Sequence, residues 1–215
     1  MKKLAIFDFD GTILDSAADV ISCFNEALSV NGFDTLTDDE YLEKLGGNID
    51  QTVSLILKDK NTIENMELIK NTYREIYNSS EKENTKPFEG VHETLKSLEE
   101  KGILLAIDSN RSTESIKYYI DEFFNDINFS DIRGHDFSNP AKPMACGVKK
   151  IMHKLKIPKE ETIFIGDTMI DIKTAIDGEI DFILAGWGYG RDDAFKSDYP
   201  LKIIDDIKEL PDIIR

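Results

Sequence analysis

Residues 3–16 read KLAIFDFDGTILDS, and the change of character inside this stretch decides the fold. Lys3 to Phe9 reads as a short, buried, mostly apolar strand that stops abruptly at Asp10-Gly11. The chain then switches to helical spacing. Residues 17–30 place Val20, Ile21, Phe24, Ala27 and Leu28 on one helical face. Further helices are expected over 38–45, 50–58 and 63–77, with no convincing strand among them. NSSEKENTK at 78–86 is polar and reads as a linker or hinge. Beyond it, helices expected at 91–101, 113–124, 144–155 and 169–177 alternate with strands at 103–107, 127–129, 162–165 and 180–184. Alternation of this kind predicts a parallel sheet with right-handed crossovers. The expected fold is therefore an α/β core, interrupted after its first strand by an all-helical insert.

Charge narrows the partners. Of 215 residues, 42 are acidic and 26 are Lys or Arg, a formal net charge of −16. Such a surface repels nucleic acid and anionic membrane, so neither is expected as a partner. An anionic substrate would need a local positive site built from a metal and a few well-placed Lys or Arg. Two cysteines, Cys23 and Cys146, make no disulfide framework and read as inert thiols. The apolar N-terminal stretch is broken by Asp8, so neither a signal peptide nor a membrane span is expected, and the protein reads as cytoplasmic.

Ligands of open parallel sheets bind beyond the carboxyl ends of the strands. Three of those ends carry polar clusters: Asp8-Phe9-Asp10, Asp108-Ser109-Asn110-Arg111 and Gly166-Asp167. Residues two apart on a strand project together, so Asp8 and Asp10 can enter one crevice. A carboxylate is a competent nucleophile toward phosphorus, which is the role read for Asp8. Asp10 can protonate the leaving oxygen and then activate water. Gly11 removes a side chain where substrate must approach, and Thr12 offers a hydroxyl. Asp167 and Asp171 lie one helical turn apart on one face. Carboxylates crowded at a strand end call for a cation. Mg²⁺ suits them, with Asp8, Asp167 and the main-chain carbonyl of Asp10 as ligands and Asp171 behind them. Ser109 and the amides after it can hold a phosphate oxygen, and Asn110 and Arg111 can contact substrate. Lys142 precedes Pro143, expected in the first turn of a helix, and its ammonium can make the nucleophile and an anionic substrate mutually tolerable. Asp108 reads as a turn carboxylate. His92, His135 and His153 lack metal-ligand spacing, and Trp187 and Tyr189 read as packing or crevice wall.

The set Asp8-x-Asp10-Gly11-Thr12, Ser109, Lys142 and Gly166-Asp167-x-x-x-Asp171 resembles the haloacid dehalogenase superfamily over essentially the whole chain. The DGTILDS sequence, the helical insert after it and the GDT form look like its phosphoglycolate phosphatase branch. The resemblance implies a Rossmann-like core of residues 1–15 and 83–215 and a mobile helical cap of residues 16–82. It also implies Mg²⁺, a two-aspartate mechanism and a small phosphorylated metabolite as substrate. Leu45-Gly46-Gly47 looks like the glycine-containing specificity loop of the branch, which makes Gly46 and Gly47 substrate-contact candidates, and Arg74 is a further candidate. Asp10 favours phosphoryl chemistry over dehalogenation. Arg111 stands where relatives often have Lys, and Ala145 where they often have a second proline. A β-phosphoglucomutase-like phosphotransferase, a pyrophosphatase or a nucleotidase would share these motifs. A receiver-type signalling domain is about half as long and lacks the insert, and a non-catalytic scaffold would not be expected to keep Asp10. A monomer or a homodimer is expected.

Overall fold

In the computed structural model, which describes residues 1–136 and 140–214, the chain divides into two compact units, Met1–Leu14 with Pro87–Arg215, and Asp15–Lys86. Strand β1 (Leu4–Phe7) opens the first unit, and β2 (Leu14–Asp15) carries the chain out of it.

The second unit is helical, with α1 (Ala17–Val30), α2 (Asp38–Leu42), α3 (Ile49–Leu57) and α4 (Ile63–Ser79). Its helix starts follow local chemistry. Thr37 with Glu40, and Asn48 with Gln51, form reciprocal capping boxes at α2 and α3. Phe24 on α1 stacks on Tyr73 of α4 with ring centroids 3.8 Å apart. Asp19 accepts hydrogen bonds from the Asn84 main chain (3.1 Å) and side chain (3.0 Å) and from the Thr85 hydroxyl (2.6 Å). Burial pushes this carboxyl up, but the Thr85 and Asn84 hydrogen bonds outweigh it and hold it below its ordinary range.

The chain returns through β3 (Lys86–Pro87), which pairs with β2. Then come α5 (Val91–Glu100), β4 (Leu104–Asp108), α6 (Thr113–Phe123), β5 (Phe129–Arg133) and α7 (Cys146–Leu155). After these lie β6 (Thr162–Gly166), α8 (Met169–Gly178), β7 (Asp181–Ala185), α9 (Asp192–Phe195), β8 (Lys202–Ile204) and α10 (Leu210–Ile213). Six parallel strands form one sheet in the order β5-β4-β1-β6-β7-β8. This is the α/β, Rossmann-like arrangement.

Strand alternation splits the core into two faces. Ala5, Phe7, Leu105, Ile107, Ile163 and Ile165 pack with α5 and α6 on one side. Leu4, Ile6, Ala106, Phe164, Phe182 and Leu184 pack with α7 and α8 on the other. The central strands are buried on both faces, which is why they read as continuous apolar runs. The chain builds outward from β1 first through β4 to β5, then from β1 through β6 to β8. The order therefore reverses at β1, where open α/β sheets leave a crevice.

Two expectations shift. The strand expected at 127–129 lies at Phe129–Arg133, because Asp131 points inward on this edge strand and is neutralised by Arg133 and Lys154, both at 2.7 Å. The helix expected from Met144 begins at Cys146, so Pro143 precedes it. The Ala145 main-chain N–H is taken by the Asp177 carboxylate at 2.8 Å.

Leu105 is fully buried, whereas Leu201 is 61% exposed. Leu105→Ala should lower the unfolding free energy by about 2–5 kcal/mol in a urea titration, and Leu201→Ala by less than about 0.5 kcal/mol. Similar small losses from both would contradict a packed face at Leu105.

Candidate active site

The candidate residues that meet in the α/β unit sit where β1, β4 and β6 end. Phe7 pairs in register with Ile107 and Ile165, so Asp8, Asp108 and Gly166 leave the sheet side by side. The Asp8 main chain still donates to Ile165 O at 2.8 Å, which extends the sheet's hold on the carboxylate. The chain then turns back: the N–H groups of Ile13 and Leu14 donate to Phe9 O at 3.0 and 2.9 Å. Gly11 carries that turn at φ +83°, and a Cβ there would collide with the Asp167 carboxylate. Glycine is required on both counts.

Lys142 is the hub. Its side chain is 2% exposed, and its Nζ lies 2.8 Å from Asp8 Oδ1 and 2.6 Å from Asp171 Oδ1. Burial works against the ammonium, but Asp171, Asp8 and Asp108 outweigh it and raise its pKa. Asp8 Oδ1 also accepts from the Phe9 N–H at 2.6 Å, so both of these contacts fall on one oxygen. Burial raises the Asp8 carboxyl to about 7, with Lys142 pulling it down and Asp171 pushing it up. Asp171 Oδ2 accepts from the Thr168 N–H at 3.0 Å and its hydroxyl at 2.7 Å, which caps α8.

Asp167 is fully buried, and burial, then Asp171 and Asp8, raise it well above its ordinary range. Its Oδ1 accepts from the Thr12 hydroxyl at 3.2 Å and its Oδ2 from the Tyr189 N–H at 2.7 Å. Asp8, Asp167 and Asp171 each offer an oxygen within 4.8 Å of the others. Three buried carboxylates against one ammonium, all with hard oxygen donors, fit a small divalent cation.

Asp10 meets Arg111 in a two-pronged ion pair, with Arg111 Nε 2.8 Å from Oδ2 and Nη2 2.7 Å from Oδ1. Ser109 is buried, and its hydroxyl oxygen accepts from the Arg111 N–H at 3.3 Å. Asn110 uses its amide on the main chain of Lys142, accepting at 2.8 Å and donating at 3.2 Å. It braces the lysine. Thr12 is fully buried and orients Asp167, with its carbonyl accepting from Trp187 Nε1 at 3.0 Å. Gly46 and Gly47 lie in the helical unit between α2 and α3, and Arg74 Nη1 donates to Asn71 there at 3.5 Å.

Two features go beyond the sequence reading, which took Trp187 and Tyr189 as packing or crevice wall and Asp108 as a turn carboxylate. In the loop of Gly186, Gly188 and Gly190, the last two glycines lie against Asp167, and side chains at either would strike that residue. Glycine at every second position was the available signal. Asp108, expected as a turn carboxylate, is instead the last residue of β4 and is buried. Its Oδ2 has no hydrogen-bond partner among the described residues, and burial, against Lys142, raises it to about 6.

The family model described as haloacid dehalogenase-like hydrolase matches residues 5–185. The chain belongs to the haloacid dehalogenase-like hydrolases. The phosphoglycolate phosphatase of Aquifex aeolicus is 30% identical to this hydrolase, over 98% of this chain and 97% of its own. Pyrophosphatase PpaX of Halalkalibacterium halodurans is 31% identical, over 95% of this chain and 94% of its own. A crystal structure of a Bacteroides fragilis protein named for the same hydrolase family superposes with a TM-score of 0.90 at 26% identity, covering 98% of this chain and 100% of that one. A Lactobacillus delbrueckii protein named for phosphoglycolate phosphatase superposes with a TM-score of 0.89 at 28% identity, covering 100% and 99%. None of the hydrolase's described helices is long and apolar enough to cross a membrane.

Asp8 imposes a pH signature on this hydrolase. A folded-state pKa raised from 3.8 to about 7 contributes stability that is full below the lower value and is lost as pH rises through the upper one. In EDTA, the unfolding free energy of wild type minus that of Asp8→Asn should therefore fall as pH rises from about 4 to about 7. A flat difference across that window in urea titrations would contradict a burial-strained Asp8.

Proposed function

We propose that this chain, a phosphatase of the haloacid dehalogenase-like family, hydrolyses a small phosphorylated metabolite through an aspartyl-phosphate on Asp8, in a Mg²⁺-dependent reaction. The observation that carries the reading is the buried Lys142 ammonium, 2.8 Å from Asp8 and 2.6 Å from Asp171, with Asp167 beside them. A carboxylate meets a phosphate dianion only where positive charge offsets both. Lys142 supplies part of it. Asp8, Asp167 and the main-chain carbonyl of Asp10 are assigned to hold Mg²⁺, which neutralises the rest when bound.

The chemistry then falls to the chain's own groups. Lys142 and the Phe9 N–H hold Asp8 by Oδ1, which leaves Oδ2 as the assigned nucleophile. Its attack forms an O–P bond as the bond to the leaving oxygen breaks. Asp10 gives that oxygen a proton. It then takes one from the water that cleaves the aspartyl-phosphate, which releases phosphate and restores Asp8. Ser109 and the amides after it are assigned to the phosphate oxygens. Thr12, Thr168 and Tyr189 hold Asp167 and Asp171 in place. The helical unit is assigned the cap role, with Gly46 and Gly47 as its substrate-side residues. A pyrophosphate substrate is the second reading, carried by the 31% identity to pyrophosphatase PpaX.

The test is phosphate release over a panel that includes 2-phosphoglycolate and pyrophosphate, first in Mg²⁺ and then in EDTA. Release should occur from one or a few compounds and stop on chelation. Asp8→Asn should abolish both turnover and phospho-enzyme, and Asp10→Asn should lower the rate by about 10²–10⁴-fold. Robust turnover by Asp8→Asn would overturn the nucleophile assignment.

A further inference from the structure

Asp10 and Arg111 are held in a way that turnover cannot tolerate unchanged. Arg111 Nε reaches Asp10 Oδ2 at 2.8 Å and Oδ1 at 3.1 Å, and Nη2 reaches Oδ1 at 2.7 Å. Both oxygens of the carboxylate assigned to proton transfer are thus turned to a guanidinium. In that arrangement both Asp10 oxygens are occupied by a group that cannot exchange a proton with them. The pair must open before Asp10 can serve a leaving oxygen.

The arginine does not depend on Asp10 for its place. Nη1 donates to Ser115 Oγ at 2.8 Å, and Cζ sits 5.3 Å from the ring centroid of the buried Tyr119. Its main-chain N–H donates to Ser109 Oγ at 3.3 Å, and its carbonyl accepts from the His135 N–H at 2.8 Å. Its side chain is 10% exposed, against 28% for Asp10. The mobile partner is therefore the carboxylate. If Asp10 swings away, the Nε–Nη2 edge stays behind as a rigid two-donor receptor for another carboxylate or phosphate. That edge lies two residues from Ser109, the residue assigned to the transferred phosphate.

We infer that Arg111 selects substrates whose leaving group carries a second anion, which takes over the Nε–Nη2 edge and frees Asp10 for proton transfer. The inference rests on the phosphatase reading and deepens it. Phosphomonoesters with a carboxylate one or two carbons from the ester oxygen fit the class, and so does a second phosphoryl group. An ester with a neutral tail cannot displace Asp10 and leaves the latch shut. A lysine could attract the same anion, but as a point charge it would not hold Asp10 by two prongs.

Non-hydrolysable ligands test this without turnover. In Mg²⁺, calorimetry would compare 3-phosphonopropionate and methylenediphosphonate with propylphosphonate, which has the same phosphonate and a neutral tail. Wild type should bind the two dianchored ligands at least about tenfold tighter, and Arg111→Gln should close the gap to about threefold or less. Arg111→Lys should fall between. Asp10→Asn removes the competing anion, so it should widen the gap. Opposite shifts from the two halves of one ion pair separate recognition from a shared structural role, which would move both variants the same way. Equal binding of all three ligands, a gap that survives Arg111→Gln, or a gap narrowed by Asp10→Asn would overturn the inference. If the gap behaves as expected but wild type releases phosphate from no compound, the phosphatase reading fails and the role of Arg111 in recognition stands. If phosphate is released but the gap is absent, the reverse holds.

Discussion

The Lys142 ammonium reaches two buried carboxylates, Asp8 at 2.8 Å and Asp171 at 2.6 Å, and the end of the sheet is organised around that contact. Burying charge is costly unless each group finds an opposite charge or a hydrogen bond. Here one cation faces three close carboxylates, since Asp167 completes the group. The surroundings hold the lysine in place. Asn110 clamps its main chain from both sides, and its Nζ lies 5.5 Å from the Phe164 ring centroid. Thr168, Thr12 and the Tyr189 N–H occupy carboxylate oxygens that would otherwise be stripped of water. A divalent cation would relieve the remaining imbalance, while burial first, and then the neighbouring carboxylates, push Asp8 and Asp167 upward.

Such a cluster stays together only because the backbone delivers it. Parallel pairing of β1 with both β4 and β6 brings three strand ends to one level. Backbone then approaches more closely than side chains would permit. Gly11 and Gly188 both lie against Asp167, so the loop after β7 and the turn after β1 close on one carboxylate from two directions. Asp108 belongs to the same end of the sheet but remains with one oxygen unpartnered among the described residues. Its burial beside Lys142 adds a fourth carboxyl to the electrostatics of the cluster.

Asp10 obeys a different rule from Asp8, although only Phe9 separates them. Asp8 is tied to the sheet by main-chain hydrogen bonding and to Lys142, and its side chain is 9% exposed. Asp10 lies beyond the strand, more exposed, on a guanidinium. A nucleophile benefits from being fixed, because orientation lowers the entropic part of the barrier. A proton carrier has to change partners. The two carboxylates are held with the different degrees of freedom that the tasks proposed for them would require.

Much of this was written in local sequence. Apolar runs at residues 4–7, 104–107 and 162–165 marked the central strands, because strands buried on both faces must be apolar throughout. Helical spacing placed α1, α3 and α4 within a residue or two, since that signal acts between neighbours in the chain. That Asp8, Asp10, Asp167 and Asp171 stand at or just past strand ends as candidate site residues was legible in the sequence, and Lys142 was a candidate from its place before Pro143 and ahead of β6. The edge strand β5 was legible only as a strand set too early, at 127–129, and β8 was not legible, because an inward Asp131 and the brevity of residues 202–204 hide the pattern. Nor was the use of each side chain. That Thr12 serves Asp167, Asn110 serves Lys142, and Arg111 grips Asp10 depends on residues 155, 32 and 101 positions apart. Spacing along the chain carries no information about such pairs. Only the folded sheet, by setting which strand ends lie side by side, decides which charge meets which.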